Sequence, residues 1–247
     1  MSERTTQPPE AEESTDAGET DGEVDADATP TTVTSGATSV VRSLENAGVE
    51  VMFGVQGGAI MPVYDALYGS DIRHVMMAHE QGAAHAADAY NVVSGRPGVC
   101  LATSGPGATN LVTGIADANM DSDAVVALTG QVPRNMVGSD AFQETDTTGI
   151  SAPITKNNYF ASDADTVGDT VGEAVALAGA GRPGPTLVDL PKDVTNGDTD
   201  RDPGMPQTPE TYTPQNEADA DAVETAARAI EAAEKPLLLF GGGVVKA

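Results

Sequence analysis

Val99-Cys100-Leu101-Ala102-Thr103-Ser104-Gly105-Pro106-Gly107-Ala108-Thr109-Asn110 is an apolar run, then a turn of small residues, then the start of a helix. The run from Val99 to Thr103 does not alternate polar with apolar, which predicts a strand covered on both faces. Pro106 suits a first helical turn, where its missing N–H is not needed, and predicts a helix from about Pro106 to Asn119. A buried strand leading through a glycine turn into a helix is the repeating unit of a parallel α/β sheet.

The same alternation runs outward in both directions. Toward the amino terminus, Val40, Val41, Leu44 and Ala47 fall at helical spacing, with Thr34 able to cap the start and Gly48 able to end the last turn. Next come a strand Val51 to Val55, a helix about Ile60 to Tyr68, a strand Ile72 to Met77, and a helix Glu80 to Val93 closed by Gly95. Toward the carboxy terminus follow a strand Ala124 to Thr129, a long loop, a helix about Asp165 to Ala180, and a strand Thr186 to Leu190. The fold class expected is α/β, a parallel sheet flanked by helices over residues 34–194. Residues 195–220 turn to Pro, Thr, Asp and Glu with few apolar anchors, as in a linker. Residues 221–247 read as the start of a second α/β domain: a helix Ala222 to Ala233, a strand Pro236 to Phe240 and a turn at Gly241-Gly242-Gly243.

Charge narrows the classes of function. The 247 residues carry 38 acids against 12 bases, a formal net charge of −26. Residues 1–33 hold ten acids and one base, so most of the excess lies elsewhere. With Met1 and two valines as its only large apolar residues, the stretch 1–33 is expected to be a disordered acidic tail. A surface this acidic is tolerable where concentrated salt screens self-repulsion, which points to a salt-adapted source, although an acidic mesophilic protein has the same composition. It also speaks against nucleic acid and anionic membranes as partners. The amino terminus has neither a basic start nor an apolar core, so a cytoplasmic location is expected. Cys100 is the sole cysteine and sits in an apolar run, as a buried small hydrophobe would.

Two motifs carry candidate chemistry. In His79-Glu80-Gln81-Gly82-Ala83-Ala84-His85, Glu80 stands where strand becomes helix. The helix dipole favours the anion there while burial disfavours it, so the carboxyl could be tuned to exchange a proton; it could equally serve as a helix cap, and spacing does not separate the two. His-Glu also begins the zincin pattern, but Ala83 occupies the place of the second ligand, and His74, His79 and His85 read as hydrogen-bonded structural residues, so no metal ligands are expected. The turn Gly105-Pro106-Gly107 starts like a dinucleotide fingerprint, which then fails because Asn110 replaces the third glycine.

Resemblance adds what spacing cannot. Gly57-Gly58-Ala59, His79-Glu80-Gln81, Thr103 to Asn110, Thr129-Gly130-Gln131-Val132-Pro133, Asp140-Ala141-Phe142-Gln143-Glu144, Ser151 to Lys156 and Gly181 to Asp193 stand in order and at the spacing of the acetolactate synthase large subunit, a thiamine-diphosphate enzyme family. The chain resembles that family from about residue 34 to 247. Glu80 with the Ser-Gly-Pro-Gly loop is similar to many thiamine-diphosphate enzymes, whereas the Asp-Ala-Phe-Gln-Glu loop is narrower. The resemblance implies a pyrimidine-binding domain over 34–194 and the truncated start of a central FAD-binding domain over 221–247.

It further implies Glu80 and Gln143 as catalytic residues, with Glu80 sharing a proton with the cofactor's pyrimidine ring. Gly57, Gly58, Pro106, Asn110 and Arg182 would touch cofactors, Arg182 facing a non-redox FAD. Phe142 and Lys192 would line the substrate entrance. The implied substrates are pyruvate and 2-ketobutyrate, on the route to isoleucine and valine, and the implied assembly is a homodimer with a regulatory small subunit as a possible addition. Mg²⁺ ligands are expected in a carboxy-terminal domain beyond residue 247, so the chain by itself is expected to be inactive. Val55-Gln56-Gly57-Gly58 departs from the family's usual Tyr-Pro-Gly-Gly. Another carboligase or decarboxylase of the superfamily, or a non-catalytic fragment, are the rival readings.

Overall fold

A computed structural model describes residues 33–215 and 217–246. The acidic tail expected over 1–33 therefore lies, but for Val33, outside the described residues. Helix α1, Gly36–Asn46, opens on a capping box in which Ser35 Oγ accepts from the Thr38 N–H while Thr38 Oγ1 accepts from the Ser35 N–H. Ser35, not Thr34, is thus the cap, because the reciprocal pair needs a partner three residues on. Gly48 closes the helix at φ +71° with its N–H on the Glu45 carbonyl.

The chain then alternates as follows: β1 Val51–Gly54, α2 Met61–Leu67, β2 Arg73–Met76, α3 Glu80–Ser94, β3 Gly98–Ala102, α4 Pro106–Asn110, α5 Val112–Asp121, β4 Val125–Gln131, α6 Thr147–Ser151, β5 Asn157–Phe160, α7 Val167–Gly179, β6 Thr186–Pro191 and α8 Lys192–Thr195. The six strands form one parallel sheet in the order β2-β1-β3-β4-β6-β5. β3, β4 and β6 are buried throughout, as their unbroken apolar runs predict. One face of the sheet is covered by α1, α2 and α7 around Val40, Leu44, Met52, Leu128 and Val171, the other by α3 and α5 around Ala84, Ala87, Leu111 and Ile115.

The alanines of α3 let it sit on β3 closely enough that a Cβ on Gly98 would lie 1.9 Å from the Ala87 carbonyl oxygen. No helix among the described residues is long and apolar enough to cross a membrane.

Besides the cap of α1, three expectations are corrected, and the stretch read as a linker makes hydrogen bonds to the domain. The helix expected from Pro106 to Asn119 is two helices meeting at Leu111, whose N–H bonds the Ala108 carbonyl three residues back and tightens the turn. The long loop after β4 contains β5, a four-residue edge strand bonded only to β6. Its sequence, Asn157-Asn158-Tyr159-Phe160, lacks an apolar run because one edge needs no second neighbour.

The polar stretch after Thr195 is latched to the domain. Asp198 bridges Ser35, Thr199 Oγ1 donates to Asp165 Oδ1 at 2.6 Å, Asn46 Nδ2 donates to the Pro203 carbonyl at 3.1 Å, and Tyr212 Oη donates to the Ala180 carbonyl at 3.1 Å. Beyond it, α9 Ala220–Ala232 forms as expected, but Pro236–Phe240 is not a strand, and α10 Gly243–Lys246 follows. A strand needs a neighbour for its ladder, and among the described residues no strand stands beside this one.

Candidate active site

The strand order reverses between β1 and β3, since β1 leads to β2 on one side and lies against β3 on the other. Loops leaving the carboxyl ends of two such strands diverge and open a crevice, the usual ligand position in open α/β sheets. Gly57 follows β1 and Thr103 to Gly107 follow β3. A Cβ on Gly57 would stand 2.3 Å from Thr103 Cβ, and one on Gly107 2.7 Å from Thr103 Cγ2. Gly57 is therefore required for the two loops to meet, and Gly107 for the loop after β3 to fold back on Thr103. A Cβ on Gly58 would have no neighbour within 4 Å, so this residue faces open space.

Glu80 is the first residue of α3 and is only partly exposed. The capping reading is settled by His79, which is the N-cap and accepts from the Gln81 N–H on Nδ1 at 3.0 Å. Glu80 is thus not needed as the cap, and its carboxylate turns to α4, where Asn110 Nδ2 donates to Oε2 at 3.0 Å. The other oxygen, Oε1, lies 3.5 Å from where a Gly107 Cβ would be. A carboxylate held on one oxygen, beside glycines that keep side chains out, can engage a flat ring carrying a hydrogen-bonding nitrogen.

Gln143 reaches the same crevice through its main chain. Gly105 turns at φ +54°, and a Cβ there would lie 2.4 Å from the Gln143 carbonyl oxygen. Gln143 itself adopts φ +57°, a left-handed conformation a non-glycine residue takes only under constraint. The adjacent Phe142 is 86% exposed. Lys192 begins α8 and lines an open groove of about 470 Å³ with Met61, Tyr64, Tyr68 and Asn196.

Arg182 is not brought to this end. It precedes β6, whereas Lys192 follows it, and six strand residues span roughly 20 Å. There Arg182 Nε donates to Ser122 Oγ at 2.7 Å and lines a separate open cavity of about 1190 Å³ with Lys246.

Spacing did not point to Tyr64 or His74. Tyr64 Oη and His74 Nε2 share a hydrogen bond of 3.0 Å, and burial, followed by the Glu80 charge, pushes the phenol above its usual range. The two belong to different elements, so no local period links them. His85 is also more than a lone structural histidine: its Nδ1 and carboxylate oxygens of Asp88 and Asp117 lie within 4.8 Å of one another on α3 and α5.

Asp88 is pushed up to about 6 from 3.8, first by burial and then by the neighbouring carboxyl groups of Asp123, Asp117 and Asp121. A carboxyl whose folded value is raised holds its proton longer in the folded state, so its contribution favours folding on the acid side and is lost as pH rises from about 4 to about 6. Asp88→Asn is expected to flatten this part of the profile, raising the denaturant midpoint at pH 7 relative to the wild type and leaving it nearly unchanged at pH 4. An equal loss at both pH values, measured at constant salt, would remove the Asp88 charge as the cause.

A parallel sheet whose switch point holds a glycine-cleared crevice and a carboxylate at a helix start is a cofactor-binding α/β domain. Residues 34–150 match the family described as "Thiamine pyrophosphate enzyme, N-terminal TPP binding domain". Among curated proteins the chain is 53% identical over 214 residues to "Acetolactate synthase" of Mycobacterium bovis, covering 86% of this chain and 34% of the relative. It is 52% identical over 215 residues to "Acetolactate synthase large subunit" of Corynebacterium glutamicum, covering 86% and 34%. It is 48% identical over 214 residues to "Probable acetolactate synthase large subunit" of Methanocaldococcus jannaschii, covering 85% and 36%. The chain thus spans about a third of the length of these relatives.

Proposed function

We propose that this chain is part of the catalytic subunit of an acetolactate synthase, which decarboxylates pyruvate and adds the remaining two carbons to a second 2-ketoacid, pyruvate or 2-ketobutyrate. The observation that carries the reading is the Glu80 carboxylate, relieved of capping by His79, oriented on one oxygen by Asn110 and with the other oxygen beside Gly107, where no side chain intervenes. Identity near 50% to proteins named acetolactate synthase supports the choice of reaction.

The residues at this end of the sheet fit the aminopyrimidine of thiamine diphosphate by their chemistry: Asn110 orients the Glu80 carboxylate, Gly107 keeps a side chain off its Oε1, and Gly58 faces open space. When bound, thiamine diphosphate supplies a carbon nucleophile and an electron sink for decarboxylation. Glu80 would hold a proton against the pyrimidine ring nitrogen, and Asn110 would keep the carboxyl from rotating away. Gly57, Gly58 and the Pro106 turn would admit the ring edge. Gln143 would meet the substrate from above Gly105, with Phe142 screening the entrance from water. Lys192, at the groove beside α2, would attract the ketoacid carboxylate in a chain whose net charge repels it.

For FAD the described residues offer Arg182 and, on the same cavity at the other end of the sheet, Lys246. The His85, Asp88 and Asp117 group lies on the outer helices rather than in the crevice, so Mg²⁺ that binds diphosphate would take ligands outside this domain. We assign 34–194 as the pyrimidine-binding domain, 195–220 as the linker and 221–247 as the start of the FAD-binding domain. The remaining elements of the reading are a salt-adapted source, a cytoplasmic homodimer, a regulatory small subunit, and a role in isoleucine and valine synthesis.

Acetolactate formation from pyruvate with thiamine diphosphate, Mg²⁺ and FAD in concentrated KCl tests the reading, comparing this chain with any longer product of the same locus. Activity in the longer product alone is the expected result. Decarboxylation without carbon–carbon bond formation would assign another enzyme of the superfamily, and inactivity of both would overturn the proposal.

A further inference from the structure

The loop that carries Gln143 is built around its own acid. The Glu144 carboxylate accepts from the N–H groups of Gly138 and Ala141, which hold it below the usual carboxylate range, and the Glu144 N–H returns to the Ala141 carbonyl at 3.0 Å. This gives the loop a defined shape but no position. Position comes from one buried amide beneath it. Gln131, the last residue of β4 and 2% exposed, donates from Nε2 to the Thr145 carbonyl at 2.9 Å and to Asp189 Oδ2 at 2.9 Å, while its Oε1 accepts from the Val132 N–H at 2.8 Å.

Asp189, on β6 and 1% exposed, accepts from Thr129 Oγ1 on its other oxygen at 2.7 Å. Every polar atom of the Gln131 and Asp189 side chains therefore has a partner, and their orientation is unambiguous: a flipped amide would set its oxygen against two acceptors. Burial pushes Asp189 up to about 7, against the lowering effect of Thr129 and Gln131.

We propose that Gln131, oriented by Asp189, is the positioning residue that sets the height of the 138–147 loop and so seats the Gln143 main chain on the Gly105 turn. Thr145 is two residues from Gln143, and the fit against Gly105 leaves no room for a methyl group, so a shift of the loop alters the crevice directly. The device is a buried polar network on the sheet, where side chains cannot reorient without leaving a donor or acceptor unpaired. Its relevance to catalysis rests on the proposed role of Gln143.

Two variants of this chain test it by hydrogen exchange, above the pH at which Asp189 titrates. Gln131→Met removes the donor, and Asp189→Leu removes the acceptor that orients the Gln131 amide. Both are expected to speed exchange of the Glu144 and Thr147 amides roughly tenfold while the β3 amides keep their protection. A role confined to filling volume would survive Gln131→Met, which keeps the length of the side chain, and loop exchange in that variant would stay unchanged.

Unchanged loop exchange in both variants, or an equal increase across the whole sheet, overturns the proposal. The same substitutions in the longer protein separate the two readings. A raised KM or reduced kcat for acetolactate formation supports both, whereas faster loop exchange with unaltered kinetics keeps the positioning of the loop and removes Gln143 from the reaction.

Discussion

Glu80→Gln is expected to reduce acetolactate formation by the full-length enzyme by roughly 10²–10⁴-fold, the range associated with losing a general acid–base group, while the domain keeps its fold. Glutamine preserves the length and shape of the side chain, and its Oε1 can still accept the Asn110 hydrogen bond now seen at 3.0 Å. What it cannot do is hold and release a proton. His79 supplies the cap of α3, so the substitution leaves the helix start intact, and the chain's thermal unfolding should not move appreciably. Turnover within a fewfold of wild type, with cofactor bound normally, would sink the role assigned to Glu80. A large drop in stability would instead return the residue to a structural part.

The largest effect on stability is expected at Gly98, at the first position of β3. An added methyl group would lie 1.9 Å from the Ala87 carbonyl oxygen and 2.5 Å from its carbon, both backbone atoms in the middle of α3. No side chain can rotate to make room, so the helix must shift on the sheet and give up packing around Ala83, Ala84, Ala87 and Leu111. Overpacking costs about 1–3 kcal/mol, and a clash with backbone atoms puts Gly98→Ala at the upper end of that range or beyond it. Gly98→Ala is therefore expected to lower the denaturant midpoint strongly, with Gly69→Ala as the control, because the nearest atom to a Cβ there is 4.0 Å away. Equal midpoints for the two variants would mean that α3 is not seated on β3 as described. The same shift would carry Glu80, at the start of α3, away from Asn110, so activity and stability should fall together at Gly98 but separate at Glu80.

What the sequence by itself determined is the alternation of buried strand and helix, because each of these signals is local. Val99 to Thr103, Ala124 to Thr129 and Thr186 to Leu190 need apolar residues on both faces, and Gly48 and Gly95 mark helix ends through their own backbone freedom. Glu80 was legible as a candidate for the same reason, since a carboxylate at a strand-to-helix boundary is visible within a few residues. Only the tertiary structure decided whether that carboxylate caps the helix or faces the crevice, because the answer depends on Asn110, thirty residues away.

Long-range contact likewise decided the rest. β5 exists because β6 offers an edge, the stretch after Thr195 is latched by hydrogen bonds to α1 and α7, and Arg182 stands at the far end of the sheet from Lys192. The Gln131 and Asp189 pair, 58 residues apart, joins two strands and a loop through polar groups that no hydrophobic period can announce. Periodicity reports which face of an element is buried; which polar atoms meet beneath that face follows from the order in which the strands assemble.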